Sequence, residues 1–493
     1  MTPTPQQLAC YAHAADPTSG SLAIKARAGS GKTHTLRELA KRLPGSGLAT
    51  SFSRSTTTDL KAAMPSNFDC IGMHALGLRG IKQRFPQIKT DVNGNALFQF
   101  VKDYLKDEDD SWKLLPDIKR FVEVAALSGI VPDHDRFILE DSYENWEALA
   151  DNYDIELTPL TYEASHAALQ HVNSLALRGE SLMFTHMLTL PAFFNTPVTQ
   201  YPKIIVDEAQ DLNPLQHLLV ARALRHNGRV FSAGDDCQAI FGFSGAMTNS
   251  FDALSERFTC SELPLTVSWR CARAIIREAQ LYVPDIEWAP DAIEGSIVHA
   301  RGLELEELPR TILCRNNGPI VKLALRLFVA GFTVECAGKD IGAGLKSTIS
   351  RVTSSKDADS MSSATFLEKL YKWAAREIER RPTRRPRVQE KVDALTALCE
   401  HHRTVGAVRK HIDGLYTDPD TDRKGRRPAD FLLSTIHKAK GREWPEVGFL
   451  DSHLIPAKWA KQDWELQQER NLSYVAVTRA KEKLVYLNSD LIQ

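Results

Sequence analysis

Residues 26–33 read Ala26-Arg27-Ala28-Gly29-Ser30-Gly31-Lys32-Thr33, and this stretch decides the fold. The apolar run from Ser21 to Ile24 predicts a strand before it, and the residues from His34 to Leu43 predict a helix after it. A strand, a glycine-rich turn and a helix that opens with Gly-Lys-Thr form a cradle for phosphate groups. Backbone N–H groups of the turn and the positive end of the helix dipole face the phosphates. We therefore expect Lys32 to reach the β- and γ-phosphates of a nucleotide and Thr33 to hold Mg²⁺.

Composition narrows the class of protein. The chain has 493 residues, enough for about three or four domains. Lys and Arg number 61 against 62 Asp and Glu, and the net charge of −1 neither indicates nor excludes nucleic-acid binding, which depends on local clustering. The 8 cysteines include no Cys-x-x-Cys pair, so we expect reduced thiols in a cytoplasmic protein. We expect neither a signal peptide nor a membrane-spanning segment, because no apolar run has the length and flanks of either.

Short apolar strands alternate with helical patterns along the chain. This alternation predicts an α/β protein whose parallel sheets are covered on both faces. The strands fall into two groups, one before about residue 266 and one after it, so we expect two α/β cores. The predicted strands are Leu22–Ala26, Gly47–Ser51, Ile204–Val206, Val230–Ala233, Thr311–Cys314, Thr333–Cys336, Phe431–Ser434, Val447–Leu450 and Leu484–Leu487.

Two strand-poor segments interrupt the cores and predict helical insertions. The expected division is a first core of residues 1–79 and 196–266 with insertion 80–195, and a second core of 267–345 and 428–493 with a short insertion, 346–427. Arginines are frequent from Arg376 to Arg387 in the second insertion. Two interpretations of these arginines are about equal. They contact the phosphates of duplex DNA, or they lie on a solvated helix face where glutamates balance their charge.

Two carboxylates follow the apolar run Ile204-Ile205-Val206, since Asp207 and Glu208 come directly after it. Ligands bind at the carboxyl edge of a parallel sheet. We interpret Asp207 as a residue that holds Mg²⁺ through water, and Glu208 as the residue that orients and deprotonates the attacking water. Alone, the pair would indicate a solvated acidic cluster. The Gly-Lys-Thr turn upstream favours the chemical interpretation.

A third signal is the strand from Val230 to Ala233, which ends in Gly234-Asp235 and is followed by Gln238. A neutral carboxamide at a strand end can hydrogen-bond a γ-phosphate and the attacking water together. We therefore predict that Gln238 senses hydrolysis and reports it to the loop that follows.

Taken in order, these motifs resemble those of superfamily 1 DNA helicases of the UvrD, Rep and PcrA type, and the resemblance covers both predicted cores. It extends to Thr4-Pro5-Gln6-Gln7, similar to the family's Q motif, and to residues 265–270, similar to its NYRS element. Residues 435–444 resemble TLHSAKGLEF and residues 474–481 resemble YVGVTRA. The resemblance implies two RecA-like cores with two mainly helical insertions, the second shorter than its counterpart in the family.

The resemblance also implies a site for ATP and Mg²⁺ to which both cores contribute. Gln7, His34 and Trp269 would lie on the base side, and Arg270 and Arg479 would contact the γ-phosphate, the latter as an arginine finger. The expected catalytic residues are Lys32, Glu208, Gln238, Arg270 and Arg479, and the expected metal-holding residues are Thr33 and Asp207. The expected nucleotide contacts are Gln7, Ala28, Gly29, Ser30, Gly31, Lys32, Thr33, His34, Trp269 and Glu443.

Contacts with a DNA strand are implied at Phe52, Arg54, His74, Phe241, Phe243, His437 and Lys438. Aromatic platforms and a basic track are what single-strand binding needs. Each phenylalanine also has a core interpretation, and for Phe241 the two are about equal. Phe243 stands where the family usually has Trp and Ser244 where it has Arg, so we expect one strand contact to be missing.

The prediction is an ATP-dependent single-stranded-DNA translocase and DNA helicase, with 3′–5′ polarity implied by resemblance alone. Expected substrates are single-stranded DNA and its junctions with duplex, with a protein partner of open identity, no membrane, and family roles in repair or replication. Two alternatives stay open: a translocase that displaces proteins and unwinds weakly, and a nucleotide-gated subunit of a larger DNA-processing complex. RNA also stays open as a substrate, because stacking and phosphate contacts do not exclude ribose.

Overall fold

The structure is a computed structural model that describes residues 2–492 apart from 53, 92, 107–113, 154, 156, 241–248, 338, 354–357, 381–384, 418–428 and 459. The chain divides into two compact units, Met1–Thr266 and Val267–Gln493. Each unit is built on its own parallel sheet.

The first unit contains strands β1 to β8 and helices α1 to α11. The strands are β1 (Leu22–Ala26), β2 (Gly47–Ser51), β3 (Phe68–Cys70), β4 (Lys89–Thr90), β5 (Ser181–Leu182), β6 (Tyr201–Asp207), β7 (Leu224–Gly234) and β8 (Ser261–Leu265). The helices are α1 (Pro5–Ala15), α2 (Lys32–Ala40), α3 (Arg54–Ala63), α4 (Met73–Arg84), α5 (Asn95–Tyr104), α6 (Leu115–Leu127), α7 (Tyr143–Tyr153), α8 (Pro159–Leu177), α9 (His186–Phe193), α10 (Pro214–Ala223) and α11 (Ser250–Arg257).

Six of these strands form one parallel sheet in the order β3-β2-β6-β7-β1-β8. Ser51 lies opposite Asp207, and Lys25 lies opposite Gly234, so the ends of β2, β6, β1 and β7 are level with one another. Parallel strands place their carboxyl ends at one edge, and the glycine-rich turn, Asp207-Glu208 and Asp235 all lie at or directly after strand ends there.

Helices α5 to α8 of this unit pack around a hydrophobic cluster of their own. Phe121 and Trp146 lie at its centre with no exposure, and their rings meet edge to face at 4.8 Å. Asp141 accepts a hydrogen bond from Nε1 of Trp146 at 2.8 Å, so the polar end of the buried indole is satisfied. The helices between β4 and β5 therefore possess a core separate from the one beneath the sheet.

The second unit contains strands β9 to β17 and helices α12 to α19. The strands are β9 (Val267–Ser268), β10 (Glu287–Trp288), β11 (Ser296–His299), β12 (Thr311–Cys314), β13 (Val334–Ala337), β14 (Tyr416–Thr417), β15 (Phe431–Thr435), β16 (Trp444–Leu450) and β17 (Ala480–Leu487). The helices are α12 (Arg273–Ala279), α13 (Asn317–Val329), α14 (Lys339–Thr353), α15 (Ser363–Arg380), α16 (Arg385–Glu400), α17 (Val405–Leu415), α18 (Ile436–Ala439) and α19 (Asp463–Val477).

Seven strands of this unit form a parallel sheet in the order β11-β17-β16-β12-β15-β13-β14. Helices α14 to α17 pack into the same hydrophobic core as this sheet. Phe366 and Leu395 from the helices lie in one cluster with Phe431 and Leu433 from β15. The segment rich in helices is thus continuous with the sheet beneath it.

The α/β class and the two parallel sheets predicted from the sequence are confirmed, and all nine predicted strands are present. Sequence analysis missed the edge strands of the two large sheets, β3, β8, β11 and β14, and the two-residue strands β4, β5, β9 and β10. All eight cysteines are free. Among the residues that the structure describes, no helix has the length and apolar character to cross a membrane.

Candidate nucleotide site and strand-contact residues

The turn between β1 and α2 has the backbone that phosphate binding needs. Gly29 and Gly31 have φ of 72° and 82°, a region in which only glycine is unstrained. Helix α2 begins at Lys32 without a side-chain cap, so its first N–H groups are directed at the turn. The Ser30 hydroxyl is buried without a hydrogen-bond partner among the described residues. A buried orphan hydroxyl in this turn fits the binding of an oxygen-rich anion.

Two polar contacts join this turn to the end of β6. Thr33 Oγ1 donates to Asp207 Oδ2 at 2.8 Å, and Lys32 Nζ pairs with Glu208 Oε2 at 2.8 Å. The partners are separated by 174 and 176 residues in the chain. The structure therefore brings together four residues that the sequence predicted to act on one nucleotide.

Burial sets the electrostatics of this cluster. Burial and the nearby Glu208 together raise the pKa of Asp207 to about 6, against the opposing effect of Lys32. Burial opposes the charge on Lys32, but Glu208, Asp235 and Asp207 together hold the pKa of its ammonium group above the ordinary value. The cluster accordingly holds a lysine that is charged at neutral pH among carboxylates in a poorly solvated site.

Glu208 has an unusual backbone. Its φ is 53°, in the left-handed region that costs a residue with a side chain about 1–3 kcal/mol. Its N–H donates to Asp207 Oδ1 at 2.9 Å, and its Oε2 accepts from Gln210 Nε2 at 2.6 Å. Such outliers cluster at active sites, where the surrounding structure fixes them.

Gln210 connects this loop to the end of β7. Its Oε1 accepts the N–H of Asp235 at 3.0 Å, and its side chain is buried. Gln238 Nε2 donates to Asp235 Oδ2 at 2.6 Å, so the carboxamide of Gln238 has a fixed orientation. Burial raises the pKa of Asp235 to about 6, and Lys32 and Arg27 oppose that rise.

The predicted base-side residues of the first unit lie next to α2. Gln7 is buried in a capping box with Thr4, and its Nε2 donates to Thr35 Oγ1 at 3.2 Å. His34 is exposed, and its Nδ1 lies 2.9 Å from Nη2 of Arg37. Burial and the Arg37 charge hold the pKa of His34 below its ordinary value, so His34 is neutral at pH 7.

In the second unit, Arg270 and Glu443 form an ion pair between Nε and Oε2. Lys481 Nζ holds the other oxygen of Glu443 at 2.8 Å. Burial opposes the Glu443 charge, yet Arg270 and Lys481 hold the pKa of this carboxyl below its ordinary value. Trp269 is half-buried and adjoins Arg270 in the chain. The structure thus brings Arg270 and Glu443 together within the second unit, and their roles toward a nucleotide stay predictions.

Arg479 is buried inside the second unit, with 1% of its surface exposed. Its guanidinium donates to the carbonyls of Val475 and Arg442, both at 3.0 Å. Burial and the nearby Arg270 lower the pKa of Arg479 to about 9, so the side chain remains charged at neutral pH. In this conformation it satisfies carbonyls of its own unit, and its role as an arginine finger stays a prediction.

Among the predicted strand-contact residues, His74 belongs to an aromatic stack. Its ring lies 4.0 Å from that of Phe184 at 19°, and Phe184 is 53% exposed. Burial lowers the pKa of His74 to about 4, so the ring is neutral and suited to stacking. Phe52 packs partly into the core beneath β6. The side chain of Arg54 and the residues Phe241 and Phe243 lie outside the described residues.

His437 and Lys438 lie on α18 of the second unit, whose N-terminus is capped by Thr435 Oγ1. Burial and the neighbouring Arg315 lower the pKa of His437 to about 3. His437 is therefore neutral, while Lys438 is exposed. Of the two, only Lys438 carries charge for a phosphate.

Sequence analysis did not identify Gln210, Phe184 or the pair of Arg315 and Glu469. Gln210 lies two residues after Glu208, and this position next to the two carboxylates was a signal that could have identified it. Phe184 has no signal of its own, because a single aromatic before a helix is usually core. Arg315 and Glu469 form a paired contact with Nη2–Oε1 of 2.7 Å, and Glu469 is 2% exposed.

Both units of the chain match domains of a known protein family. Residues 5–259, slightly more than half of the chain, match the N-terminal domain of the UvrD/REP helicases, and residues 347–489 match the UvrD-like helicase C-terminal domain. The chain belongs to the UvrD/Rep helicase family. The family resemblance predicted from the motifs is therefore confirmed.

Several curated relatives are similar to this UvrD/Rep-family chain. F-box DNA helicase protein 1 of Schizosaccharomyces pombe is 24% identical over 94% of the chain and 55% of its own length. The RecBCD enzyme subunit RecB of Mycobacterium tuberculosis is 30% identical over 22% of the chain and 10% of its own length. A probable DNA helicase II homologue of Rickettsia felis is 25% identical over 50% of the chain and 39% of its own length. The chain thus spans about half or less of the length of these relatives.

Proposed function

We propose that this UvrD/Rep-family chain is a DNA-dependent ATPase that translocates along single-stranded DNA in the cytoplasm and acts as a DNA helicase. The observation that carries the proposal is the pairing of Lys32 with Glu208 and of Thr33 with Asp207. Family membership supports it, because helicases of this family couple nucleotide hydrolysis to DNA. The curated relatives named as DNA helicases support the same class.

Hydrolysis needs a base, a charge stabiliser and a means to hold water in line. Glu208 is proposed as the base, held by Gln210 and set in a left-handed backbone conformation. In the structure its Oε2 is paired with Lys32. Phosphates that attract the Lys32 ammonium group would release this oxygen to accept a proton from water. Lys32 then stabilises charge that develops on the transferred phosphoryl group.

Thr33 and Asp207 fit a magnesium ion. Both offer oxygen ligands, which Mg²⁺ prefers, and the two oxygens are already neighbours. When bound, Mg²⁺ would neutralise negative charge on the phosphates. The residues of this chain contribute the rest: Thr33 and Asp207 would orient the ion, and Ser30 would donate its unpaired hydroxyl to a phosphate oxygen.

Arg270, Glu443 and Arg479 of the second unit are proposed to complete this site when nucleotide draws the two units together. Arg479 would exchange its carbonyl partners for the γ-phosphate, and an arginine finger is worth about 10³–10⁵ in rate. Differential contact with ATP and its products would then shift the two units between conformations. Gln7, His34 and Trp269 are proposed to contact the base.

The strand is proposed to contact the stack of His74 and Phe184, with Phe52, Arg54, Phe241, Phe243, His437 and Lys438 along its path. A neutral aromatic pair, one ring half exposed, suits a base of any sequence. We propose 3′–5′ movement, supported by family resemblance. A protein-displacing translocase with weak unwinding is a second candidate, because the described residues of α14 to α17 share one hydrophobic core with the second sheet.

ATP turnover with and without single-stranded DNA tests the proposal, with Lys32→Ala as the site variant. We expect strong stimulation by DNA in the unaltered protein and loss of turnover in the variant. Turnover that persists in Lys32→Ala would contradict the proposed site. Strand displacement on 3′- and 5′-tailed duplexes tests polarity, and displacement of a DNA-bound protein in the same preparation separates the two candidate functions.

A further inference from the structure

Arg27 occupies an unusual position for a charged side chain. It is the first residue after β1, within the phosphate-binding turn, and only 8% of it is exposed. Its backbone N–H donates to the Leu265 carbonyl at 2.8 Å, and its carbonyl accepts from Ser30 N–H at 3.1 Å. The turn and the adjacent strand therefore fix the backbone from which the guanidinium extends.

The guanidinium is directed to the turn at the end of β7. Nη1 donates to Asp236 Oδ1 at 2.7 Å and lies 3.7 Å from Asp235 Oδ1. Lys25 Nζ reaches the other oxygen of Asp236 at 3.0 Å from the more exposed side. Burial opposes the Asp236 charge, but Arg27 and Lys25 hold the pKa of its carboxyl below the ordinary value. Asp236 is therefore ionised and is a true ion-pair partner for Arg27.

The same turn holds Gln238. The Asp235 carboxylate accepts hydrogen bonds from Gln238 Nε2 at 2.6 Å and from the Cys237 N–H at 3.2 Å. The Asp235 N–H donates to the side chain of Gln210. The carboxamide of Gln238 thus depends on Asp235, and the turn that contains Asp235 and Asp236 is bound to Arg27. Breaking a buried ion pair by removing one partner leaves the other charge uncompensated, so loss of Arg27 would disturb this turn.

A direct phosphate contact is the competing role for an arginine in this loop. Two observations oppose it: Nη1 is already held by Asp236, and Asp235 lies close behind. The surrounding charge is carboxylate, which holds the guanidinium in place but would repel a phosphate. The contacts therefore favour a role in which Arg27 holds the turn at the end of β7 in place.

We propose that Arg27 is a positioning residue for hydrolysis, which fixes the turn of Asp235 to Gln238 against the phosphate-binding loop and thereby orients the Gln238 carboxamide. This inference rests on the proposed ATPase function. It assigns Arg27 an effect on turnover and not on nucleotide affinity.

The experiment measures kcat and KM for ATP with saturating single-stranded DNA, and the Kd of a fluorescent ATP analogue. The variants are Arg27→Ala, Arg27→Lys, Asp236→Ala and the double variant Arg27→Ala/Asp236→Ala. Arg79→Ala is the matched control, because it removes the partner of Asp69 on the surface of the same unit. Lys32→Ala in the same series tests the proposed function by itself.

We expect Arg27→Ala to lower kcat by about 10- to 100-fold, the effect of a small misplacement of a catalytic group. KM and the analogue Kd should stay within about threefold, the pattern of a lost transition-state interaction. Arg27→Lys should restore part of kcat, since an ammonium group can pair with one carboxylate. The double variant should be no slower than the slower single variant, because both changes break one contact.

A raised KM or Kd with unchanged kcat would overturn the inference in favour of a phosphate contact. Multiplied effects in the double variant would also overturn it. If Arg27→Ala does not fold, Arg27→Lys decides: a lower kcat at unchanged KM supports the inference, and an unchanged kcat contradicts it. If the unaltered protein shows no ATP turnover that Lys32→Ala abolishes, the proposed function itself fails.

Discussion

The ion pair of Lys32 and Glu208 is the residue-scale feature on which the proposed chemistry depends. One glutamate oxygen is shared between the Lys32 ammonium group and the Gln210 amide. In the proposed mechanism, the base is released only when the phosphates draw the lysine away. The contact would thus link nucleotide binding to the release of the base.

Glu208→Gln tests this arrangement directly. The amide keeps the size of the side chain but cannot take a proton from water, so we expect ATP turnover to fall by about 10²–10⁴-fold. Nucleotide affinity should be retained, because Lys32 and the glycine-rich turn are unchanged. Turnover and the Kd of a fluorescent ATP analogue are the two measurements. Glu147→Gln, an exposed acid on α7, is the control. Unchanged turnover in Glu208→Gln would show that another residue is the base.

His186 gives a prediction about pH. It is 1% exposed, its Nδ1 accepts Met183 N–H and its Nε2 donates to Asn173 Oδ1. Burial lowers its pKa from 6.5 to about 4, so the unfolded chain binds the proton more readily than the folded one. The stabilisation is complete above pH 6.5 and is lost as pH falls towards 4. From the linkage relation, His186 should cost the first unit about 2 kcal/mol between pH 7.5 and pH 5.

Urea unfolding at pH 7.5 and pH 5.0 measures this effect. His186→Gln should lower the unfolding free energy at both pH values, since its packing and hydrogen bonds are altered. The difference between the two pH values should nevertheless be smaller in the variant by about 2 kcal/mol. Equal pH dependence in both proteins would refute the assignment to His186.

At the scale of elements, α4 and α9 approach so closely that only glycine fits between them. A Cβ at Gly77 would lie 1.8 Å from the carbonyl oxygen of Met187 in α9, and one at Gly80 would lie 1.7 Å from that of Pro197 in the segment after α9. Helix α4 carries His74, and Phe184 precedes α9, so the same close packing holds the aromatic stack together.

Gly77→Ala should therefore separate the two helices. We expect a loss of about 2 kcal/mol or more in unfolding free energy, because the backbone itself must move. Affinity for single-stranded DNA should fall in parallel as the stack opens. Gly344→Ala in α14 is the matched control: no atom lies within 4 Å of the added Cβ, and alanine favours a helix. Thermal unfolding and strand-binding titrations of both variants check the contrast. Similar behaviour of the two would rule out steric contact as the cause.

Sequence patterns predicted elements best where both faces of a strand are buried. Strands β1, β2 and β12 match their predicted bounds, since they lie inside their sheets and are almost completely buried. Strand β11 was missed because its exposed residues, Ser296 to His299, carry little hydrophobic signal at a sheet edge. The contacts of Lys32 with Glu208 and of Thr33 with Asp207 could be predicted, because both motifs directly follow predicted strands of one parallel sheet. The buried state of Arg479 and the exposed stack on His74 did not, because both depend on packing between distant segments.

At the scale of the whole molecule, the two strand-poor segments differ in how they are stabilised. Helices α5 to α8 enclose a cluster of their own, centred on Phe121 and Trp146. Helices α14 to α17 complete a single cluster that includes β12 and β15 of the second sheet. Composition makes both segments look alike, since both are helical and poor in strands. Only the direction in which their apolar faces point distinguishes them.

Substitution of a buried phenylalanine in each of the two clusters should therefore destabilise different parts of the chain. Phe366 of α15 and Phe121 of α6 are both fully buried, and replacing either by alanine should cost about 3–5 kcal/mol. Phe366→Ala should raise amide exchange across the second sheet as well as α14 to α17, because one cooperative core is weakened. Phe121→Ala should raise exchange in α5 to α8 and leave β1, β6 and β7 protected. Hydrogen exchange resolved by peptide measures both patterns. Exchange confined to α14–α17 in Phe366→Ala would mean that these helices open independently, and the second unit would then contain two folding cores.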